Sequence, residues 1–356
     1  MGRKKIVFCI CCAIIIIALG VAIPFVHAFV VVSSLKYYQG ESPIRFMSAA
    51  EDRLAFICEN GDCYISGMCL DSNLFGDGDA DGLKIPFLAS LFCEIELPKK
   101  LMSNVEKVSL SYNTGVIIDR NQKLYYFDAD NYDIPTYIVD GILDASACEN
   151  EIYAVTVDHR LLLFSPNGES QEIMSNVETV KADRGIIWFL DMTGNLYHLS
   201  KEGHPSLVTD DVTQFSFYPS YVNGEKAYAC AYIKSNGDLY IRGEAYEQFI
   251  KGDCSQFAKI KEGVAEISLM ESGAVVRYTD GSICRLGDYY NEPAELFLYQ
   301  DEETRIFSGY RFAGVVCLKT GDLMLWGKAG NAFGETITSE YPFTEDPYVI
   351  ASKNNK

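Results

Sequence analysis

The chain has 356 residues and a formal net charge of −19, because 49 Asp and Glu outnumber 30 Lys and Arg. This charge disfavours binding to nucleic acid, which requires clustered positive side chains to displace counterions from phosphates. It also disfavours docking of a folded domain on anionic lipid. We therefore expect no nucleic-acid partner, and membrane contact through the N-terminal segment only.

The N-terminal segment carries the signals of a membrane anchor. Arg3, Lys4 and Lys5 lie in a basic tail, residues 1–5, ahead of a run without Asp, Glu, Lys or Arg at residues 6–32. A bilayer core about 30 Å thick needs about 20 apolar residues, so the run predicts a transmembrane signal-anchor helix. The basic side should stay in the cytoplasm, which places the rest of the chain outside it. The alternative is a signal peptide cleaved near Ala28, where Val26 and Ala28 are the small residues that the peptidase reads, and a secreted product.

After a juxtamembrane linker at residues 33–41, one pattern recurs along the chain: an apolar stretch, a tight polar turn and a second apolar stretch. One such repeat cannot bury its own apolar face and must stack on neighbours, and the spacing of the turns is typical of four-stranded propeller blades. The seven copies are residues 54–67, 115–128, 153–165, 186–200, 228–243, 274–287 and 314–327.

A further stretch of alternating apolar residues precedes each copy and predicts another strand. Each unit then has three strands and a more variable connecting segment. We predict an all-β, seven-bladed β-propeller over residues 42–352, with an insertion at about 68–104 in the first unit. An open propeller would leave strand edges exposed, so the ring should close. We expect residues 345–356 to close it by pairing into the blade that begins at residues 42–66.

Cys58 and Cys63 form a disulfide candidate in the first hairpin. They flank a turn that contains Asn60 and Gly61, and a two-residue turn at this pair would place the two cysteines directly opposite each other. That spacing permits a disulfide at some cross-strand sites. The alternative is that both thiols are unbonded and packed as small apolar groups.

Asp77, Asp79 and Asp81 are candidate calcium ligands. Alternating carboxylates followed by Gly82 match the first half of a calcium-binding loop. The second half lacks its bidentate Glu, because Leu88 occupies that position. The alternative is a solvated acidic loop, and the sequence predicts no other cofactor or metal.

Catalytic motifs are missing from the sequence. It contains no zinc-protease, serine-hydrolase or phosphate-binding pattern. His159 falls at a hairpin turn, His198 at the end of a strand, and Trp188 in a strand where it should pack between blades. We nominate no catalytic residue and predict that the protein is not an enzyme.

The last repeat resembles the regulator-of-chromosome-condensation repeat family. The resemblance rests on the turn at Gly321, on Trp326 followed by Gly327, and on the Asn331 to Gly334 segment, and residues 66–78 of the first repeat match as well. It covers about residues 42–350 and implies a seven-bladed propeller. With the predicted anchor, it implies a membrane-anchored, bacterial member. The His that the family carries after a repeat Gly is not present, so no functional residue is carried over.

These observations predict a membrane-anchored, extracytoplasmic propeller that acts as a non-catalytic binding module for a protein or a surface glycan. Loops on a repeated scaffold supply variable binding surfaces. Two alternatives remain at this point. One is an extracytoplasmic hydrolase or lyase with an active site on its loops, and the other is a structural component of a cell-envelope assembly. The acidic charge and the anchor disfavour the nuclear exchange-factor activity known in the family.

Overall fold

The computed structural model describes most of the residues from Ser42 onwards. The predicted tail, anchor and linker lie outside the described residues. Among the residues that are described, no helix is long and apolar enough to cross a membrane. The described ranges are 42–50, 53–68, 95–112, 114–128, 134–165, 169–200, 202–222, 225–243, 253–270, 273–287, 295–300, 303–309, 312–319, 323–327 and 348–351.

The described residues form seven antiparallel sheets of four strands, which we number in chain order. Sheet one contains β1 (Ile44–Ala50), β2 (Arg53–Cys58), β3 (Cys63–Met68) and β4 (Ile95–Met102). Sheet two contains β5 (Val105–Leu110), β6 (Thr114–Asp119), β7 (Leu124–Asp128) and β8 (Thr136–Val139). Sheet three contains β9 (Ile142–Cys148), β10 (Glu151–Thr156), β11 (Arg160–Phe164) and β12 (Ser170–Ser175). Sheet four contains β13 (Val177–Asp183), β14 (Ile186–Asp191), β15 (Leu196–Leu199) and β16 (Pro205–Thr209).

The other three sheets follow the same order of strands. Sheet five contains β17 (Val212–Val222), β18 (Glu225–Lys234), β19 (Leu239–Arg242) and β20 (Ala258–Lys261). Sheet six contains β21 (Val264–Met270), β22 (Gly273–Tyr278), β23 (Ser282–Gly287) and β24 (Glu295–Gln300). Sheet seven contains β25 (Thr304–Ser308), β26 (Phe312–Cys317), β27 (Leu323–Gly327) and β28 (Tyr348–Ala351).

The first strand of each sheet, which we call its inner strand, lines one central channel. The sheets surround this channel, and β1 of sheet one contacts β25 and β26 of sheet seven. The strands thus form a closed ring in which the sheets pack face to face. The prediction of an all-β β-propeller is confirmed.

The repeats recognised in the sequence are the middle hairpins of the sheets, from β2–β3 to β26–β27. The fourth strands were assigned to connecting segments, because they are short and carry little apolar alternation. In β8, β12 and β16 most side chains are exposed or only partly buried. Strand β4 lies inside the range assigned to an insertion, of which residues 69–94 are outside the described residues.

The C-terminal strand corrects one expectation. Strand β28 pairs with β27 as the fourth strand of its own sheet, whereas we expected it to enter sheet one. Sheet one already has a fourth strand, β4, which pairs with β3. Among the described strands, the ring is therefore closed by packing between sheets one and seven, and neither sheet contains a strand from the other end of the chain.

Backbone hydrogen bonds join neighbouring sheets at the hairpin turns. The amide of Val105 donates to the carbonyl of Gly61 at 2.8 Å, and the amide of Val212 donates to the carbonyl of Gly194 at 2.8 Å. Both glycines have positive φ, 87° and 83°, which turns their carbonyls towards the next inner strand. In the second hairpin this residue is Gln122, with φ of 62°, whose carbonyl accepts from the amide of Ile142 at 2.9 Å. We call the side of the ring that carries these turns the turn face.

Apolar side chains fill the space between adjacent sheets. One cluster combines residues of sheets one and two, such as Ile57 and Val108, and another combines Trp188 of sheet four with Phe215 of sheet five. Each sheet therefore buries its apolar faces against its two neighbours, as the repeat pattern requires. Burial at these junctions is the main stabilising contribution to the ring.

Candidate functional site

The central channel is a concave surface that the described residues of all seven sheets enclose. Its cavity has a volume of about 390 Å³ and is lined by residues from all of the inner strands. Because side chains alternate along a strand, the third and fifth residues of each inner strand point to the same face. Both sets line the channel.

The fifth residues form a layer that we call the serine tier. Six of the seven positions are Ser, and the position in sheet four is Lys181. The members are Ser48, Ser109, Ser146, Lys181, Ser216, Ser268 and Ser308.

Serine-tier hydroxyls bridge neighbouring inner strands. The Ser146 hydroxyl accepts from the amide of Ala182 at 2.9 Å and donates to the carbonyl of the same residue at 3.0 Å. The Ser216 hydroxyl accepts from the amide of Leu269 at 3.1 Å. These bonds satisfy backbone groups that the sheet ladders leave unpaired, so the tier links the sheets around the channel.

The Ser146 bridge predicts a stability difference between two serines of the same tier. Ser146→Ala should lower the free energy of unfolding by about 1 to 2 kcal/mol, because it leaves a buried amide and carbonyl without partners. Among the described residues, the one hydrogen-bond contact of the Ser109 hydroxyl is 3.5 Å long, to the Ser146 hydroxyl, so Ser109→Ala should cost no more than about 0.5 kcal/mol. Urea unfolding of both variants measures the difference. Equal losses would show that the Ser146 bridge does not stabilise the ring.

The third residues include charged groups that are already paired. Asp144 accepts hydrogen bonds from the Thr179 hydroxyl and from the amide of Val180, the latter at 3.0 Å, and Lys107 Nζ lies 3.3 Å from its Oδ1. The carboxylate thus joins sheets two, three and four.

Glu266 is the other carboxylate of the third layer, and its side chain is buried. Burial raises its pKa, and a hydrogen bond from Arg277, whose Nε lies 3.1 Å from Oε2, opposes that rise. Both acids of the third layer therefore hold a cation of their own.

Lys181 differs from Lys107, the other described cationic side chain along the channel wall, and from Arg277 behind it. Its side chain is exposed to the channel, and its Nζ donates to the carbonyl of Phe215 at 3.0 Å and lies 5.4 Å from the centre of the Phe215 ring. Enclosure by the surrounding protein lowers its pKa, and the charges of Asp144 and Glu266 act in the opposite direction. Among the residues that the structure describes, Lys181 forms no ion pair.

Asp183 lies two residues further along β13 and links sheets two and four. It accepts hydrogen bonds from the Ser111 hydroxyl at 3.0 Å and from the amide of Tyr112 at 3.1 Å. The Arg184 guanidinium stacks over the Tyr112 ring at 4.4 Å. Burial raises the pKa of the Asp183 carboxyl, and the hydrogen bonds from Tyr112 and Ser111 lower it in part.

The raised pKa of Asp183 predicts a pH effect on stability. Because the folded state holds this proton more tightly than the unfolded state, the contribution is complete at acid pH and is lost as pH rises through the folded-state pKa. The free energy of unfolding of the unaltered protein, minus that of Asp183→Asn, should therefore fall as pH rises towards neutrality. Urea unfolding at several pH values measures this difference, and a difference that rises with pH would contradict the assignment.

The predicted calcium ligands Asp77, Asp79 and Asp81 lie outside the described residues. Within the part of the chain that the structure describes, no group of His, Cys, Asp and Glu is arranged to hold a metal ion. The calcium site stays a prediction.

Cys58 and Cys63 are both free, buried thiols. The turn between them is longer than expected: the Cys58 amide donates to the Asp62 carbonyl at 2.9 Å, and Cys63 is the register partner of Ile57. Gly61, with its positive φ, adds the residue that shifts the register. The expectation that the two cysteines lie directly opposite each other is therefore wrong. Burial raises the pKa of the Cys58 thiol to about 12.

The histidines and Trp188 lie where the sequence pattern placed them. His159 is the positive-φ residue of a turn, and its Nδ1 lies 3.2 Å from the carbonyl of Val177. Trp188 is completely buried, and its ring lies 5.0 Å from that of His198. Burial, followed by the charge of Arg242, lowers the pKa of His198. Neither histidine lines the channel.

The motifs of the sequence did not point to Lys181 or to the serine tier as site residues. The signal was present, because aligning the starts of the seven inner strands puts Ser in the fifth position of six and Lys in the remaining one. What the sequence could not show is that these positions face a common channel, since that depends on how the sheets are arranged around the axis.

No family model matches the sequence, and no curated protein matches it. Solved structures do resemble it in fold. One is the crystal structure of Kap60 bound to yeast RCC1 (Prp20), with a TM-score of 0.56, 11% identity, and coverage of 75% of this chain and 80% of that chain. Another is Kluyveromyces marxianus Hsv2, with a TM-score of 0.50, 10% identity, and coverage of 80% and 92%. At such identity the similarity shows the β-propeller fold alone.

Proposed function

We propose that this chain is a membrane-anchored, extracytoplasmic β-propeller that acts as a non-catalytic binding module for a protein or a surface glycan. In this proposal residues 6–32 hold the ring at the membrane, and cleavage near Ala28 is the alternative that would release it. The ring belongs to the regulator-of-chromosome-condensation type of propeller, on the strength of the repeat motifs and the fold similarity.

The observation that supports a binding role is that the carboxylates of the third layer of the channel already have partners within the protein. Asp144 and Glu266 are engaged by neighbouring backbone, hydroxyl and cationic groups. General acid–base catalysis requires a titratable group within reach of a substrate proton, and these carboxylates are committed to holding sheets together. The polar groups of the channel wall thus stabilise the arrangement of the sheets, as expected of a rigid binding scaffold.

The turn face offers a surface for a protein partner. Val157 and Met192 occupy equivalent turn positions in neighbouring sheets three and four, and they are 48% and 47% exposed. Exposed apolar residues that lie on neighbouring repeats are a feature of protein-binding surfaces. In the crystal structure that resembles this fold, yeast RCC1 (Prp20) is bound to Kap60, which offers an analogy for a propeller that binds a protein.

The hydrolase or lyase alternative is supported by one observation. Lys181 and Glu266 both line the channel, and burial shifts the pKa of each towards its uncharged form. Titratable groups with shifted pKa that share a pocket are a feature of active sites. Hydrolysis of model esters and glycosides by the purified chain, abolished by Lys181→Met, would support the enzyme over the binding module.

Proximity labelling on intact cells tests the binding proposal. The full-length chain, fused to a labelling enzyme at its C-terminus, should label a defined set of surface proteins or glycoconjugates. A double variant, Val157→Asp with Met192→Asp, should lose them, because two charges would disrupt apolar contacts on the turn face.

Leu207→Asp is the matched control, since Leu207 is 61% exposed on β16, the outer strand of sheet four. It should leave the labelled set unchanged. Loss of the same partners in the control and the double variant, or retention in both, would contradict binding by the turn face. Labelling of cytoplasmic proteins alone would contradict the extracytoplasmic location.

A further inference from the structure

We infer that the central channel holds a binding site for a small carboxylate, centred on Lys181, and that the ligand is a hydroxylated monocarboxylate of the size of a sugar acid. This site lies inside the ring and is separate from the turn face. It therefore stands whether or not the turn face binds a partner.

The charge distribution of the channel wall singles out Lys181. Lys107 is paired with Asp144 at 3.3 Å, and Arg277 is paired with Glu266 at 3.1 Å. The only hydrogen bond of Lys181 Nζ, among the contacts of the described residues, goes to the neutral carbonyl of Phe215. Each wall carboxylate of the third layer thus has a cation of its own, and the third wall carboxylate, Asp183, is held by the Ser111 hydroxyl and the Tyr112 amide. Lys181 is the wall cation without an ion-pair partner among the described residues.

An ammonium without an ion-pair partner in an enclosed channel attracts an oxyanion more strongly than one on an open surface, because the surrounding protein screens charge less than water does. A bound carboxylate would give Lys181 the ion-pair partner that none of the described wall carboxylates provides. A charge-assisted hydrogen bond from Nζ to a carboxylate oxygen would be stronger than the present bond to a neutral carbonyl.

Hydroxyl groups of the serine tier provide further donors. The Ser216 oxygen, in the sheet next to Lys181, accepts from the amide of Leu269, and the Ser48 oxygen accepts from the amide of Leu110. In both cases the hydroxyl proton is not used in these bonds. A carboxylate at Lys181 and hydroxyl groups on the rest of the ligand would give these protons acceptors.

The dimensions of the cavity favour a small molecule. A volume of about 390 Å³ lies near the lower end of the range for small-molecule pockets.

A bridge between sheets requires only a Ser at the fifth position of an inner strand, as Ser146 and Ser216 show. Lys181, at the same position, therefore adds a charge that bridging does not need.

Calorimetry with sodium D-glucuronate tests the site. D-glucose is the comparison ligand, because it has the same sugar ring but no carboxylate. The full-length chain should bind glucuronate at millimolar concentration and glucose at least about tenfold more weakly. Lys181→Met, which keeps most of the side-chain length without the charge, should weaken glucuronate binding at least about tenfold.

Lys123→Met is the matched control, because it removes the same charge from a side chain outside the channel that lies over the ring of Tyr137. It should leave the affinity for glucuronate unchanged. Equal affinity of the unaltered chain and Lys181→Met for glucuronate would overturn the inference, and so would equal affinity for glucuronate and glucose.

A measurement on the unaltered chain covers the case in which Lys181→Met does not fold. Glucuronate should slow the reductive methylation of Lys181, followed by mass spectrometry of peptides, and should leave the rate at Lys123 unchanged. Failure of glucuronate to bind and to protect Lys181 at millimolar concentration would overturn the inference as well.

Discussion

Replacing Trp188 with Ala should lower the free energy of unfolding by about 3 to 5 kcal/mol, the largest loss that we expect from a single side chain. Trp188 is completely buried between sheets four and five, where it packs with Phe215 and Tyr232. Its removal takes away apolar contact area and leaves a cavity that the flanking sheets cannot close, because hydrogen bonds hold them at the turn face. Urea unfolding followed by circular dichroism measures the loss.

Trp188→Phe is the control for this prediction. The indole Nε1 of Trp188 is buried without a hydrogen-bond partner among the described residues. Replacement of Trp188 with Phe therefore removes side-chain volume but no hydrogen bond. We expect this variant to lose clearly less than Trp188→Ala. An equal loss for the two variants would show that the ring contacts at this junction contribute little.

Replacing Gly115 with Ala should lower the free energy of unfolding by about 3 kcal/mol, at the upper end of the cost of overpacking. A Cβ at this position would lie 2.3 Å from Cζ of Phe127, the partner of Gly115 in the neighbouring strand of sheet two. Phe127 is only 2% exposed, so its ring has little space in which to move. Either strand β6 or the aromatic ring of Phe127 must shift, and this shift disturbs the packing of sheet two against sheet one.

The double variant Gly115→Ala with Phe127→Leu tests this mechanism. If the clash is the cause, Gly115→Ala should cost less in the Phe127→Leu background than in the unaltered chain, because the smaller side chain leaves room for the methyl group. Thermal unfolding of the four proteins gives the interaction energy. The same cost in both backgrounds would place the effect in the backbone of β6 and not in the contact with Phe127.

The middle hairpins were predictable because their apolar residues are contiguous in sequence and their turns carry Gly or another residue with positive φ. Residues 186–200 illustrate this: β14 is buried throughout, and Gly194 occupies the turn. The fourth strands were not predictable, since β16 pairs only with β15 and contributes mostly exposed side chains. The predicted pairing of β28 was wrong for a related reason, because a four-residue strand carries no sequence signal for its partner sheet.

The candidate site was less predictable than the fold. Asp77, Asp79 and Asp81 lie within five residues of one another, so a local sequence pattern was enough to predict them as potential ligands. Lys181, Ser146 and the other residues of the serine tier are far apart in sequence and belong to different sheets. They meet only because the inner strands surround one axis.

The sequence by itself determined that the chain folds as a ring of β-sheets, because no repeat buries its apolar face without a neighbour. It also determined the position of the hairpins, since alternation and turn residues act over a few residues. Only the tertiary structure decided how the ring closes, that Cys63 pairs with Ile57, and that one lysine faces a channel with each third-layer carboxylate already paired. Those outcomes depend on contacts between distant residues, which no local pattern encodes.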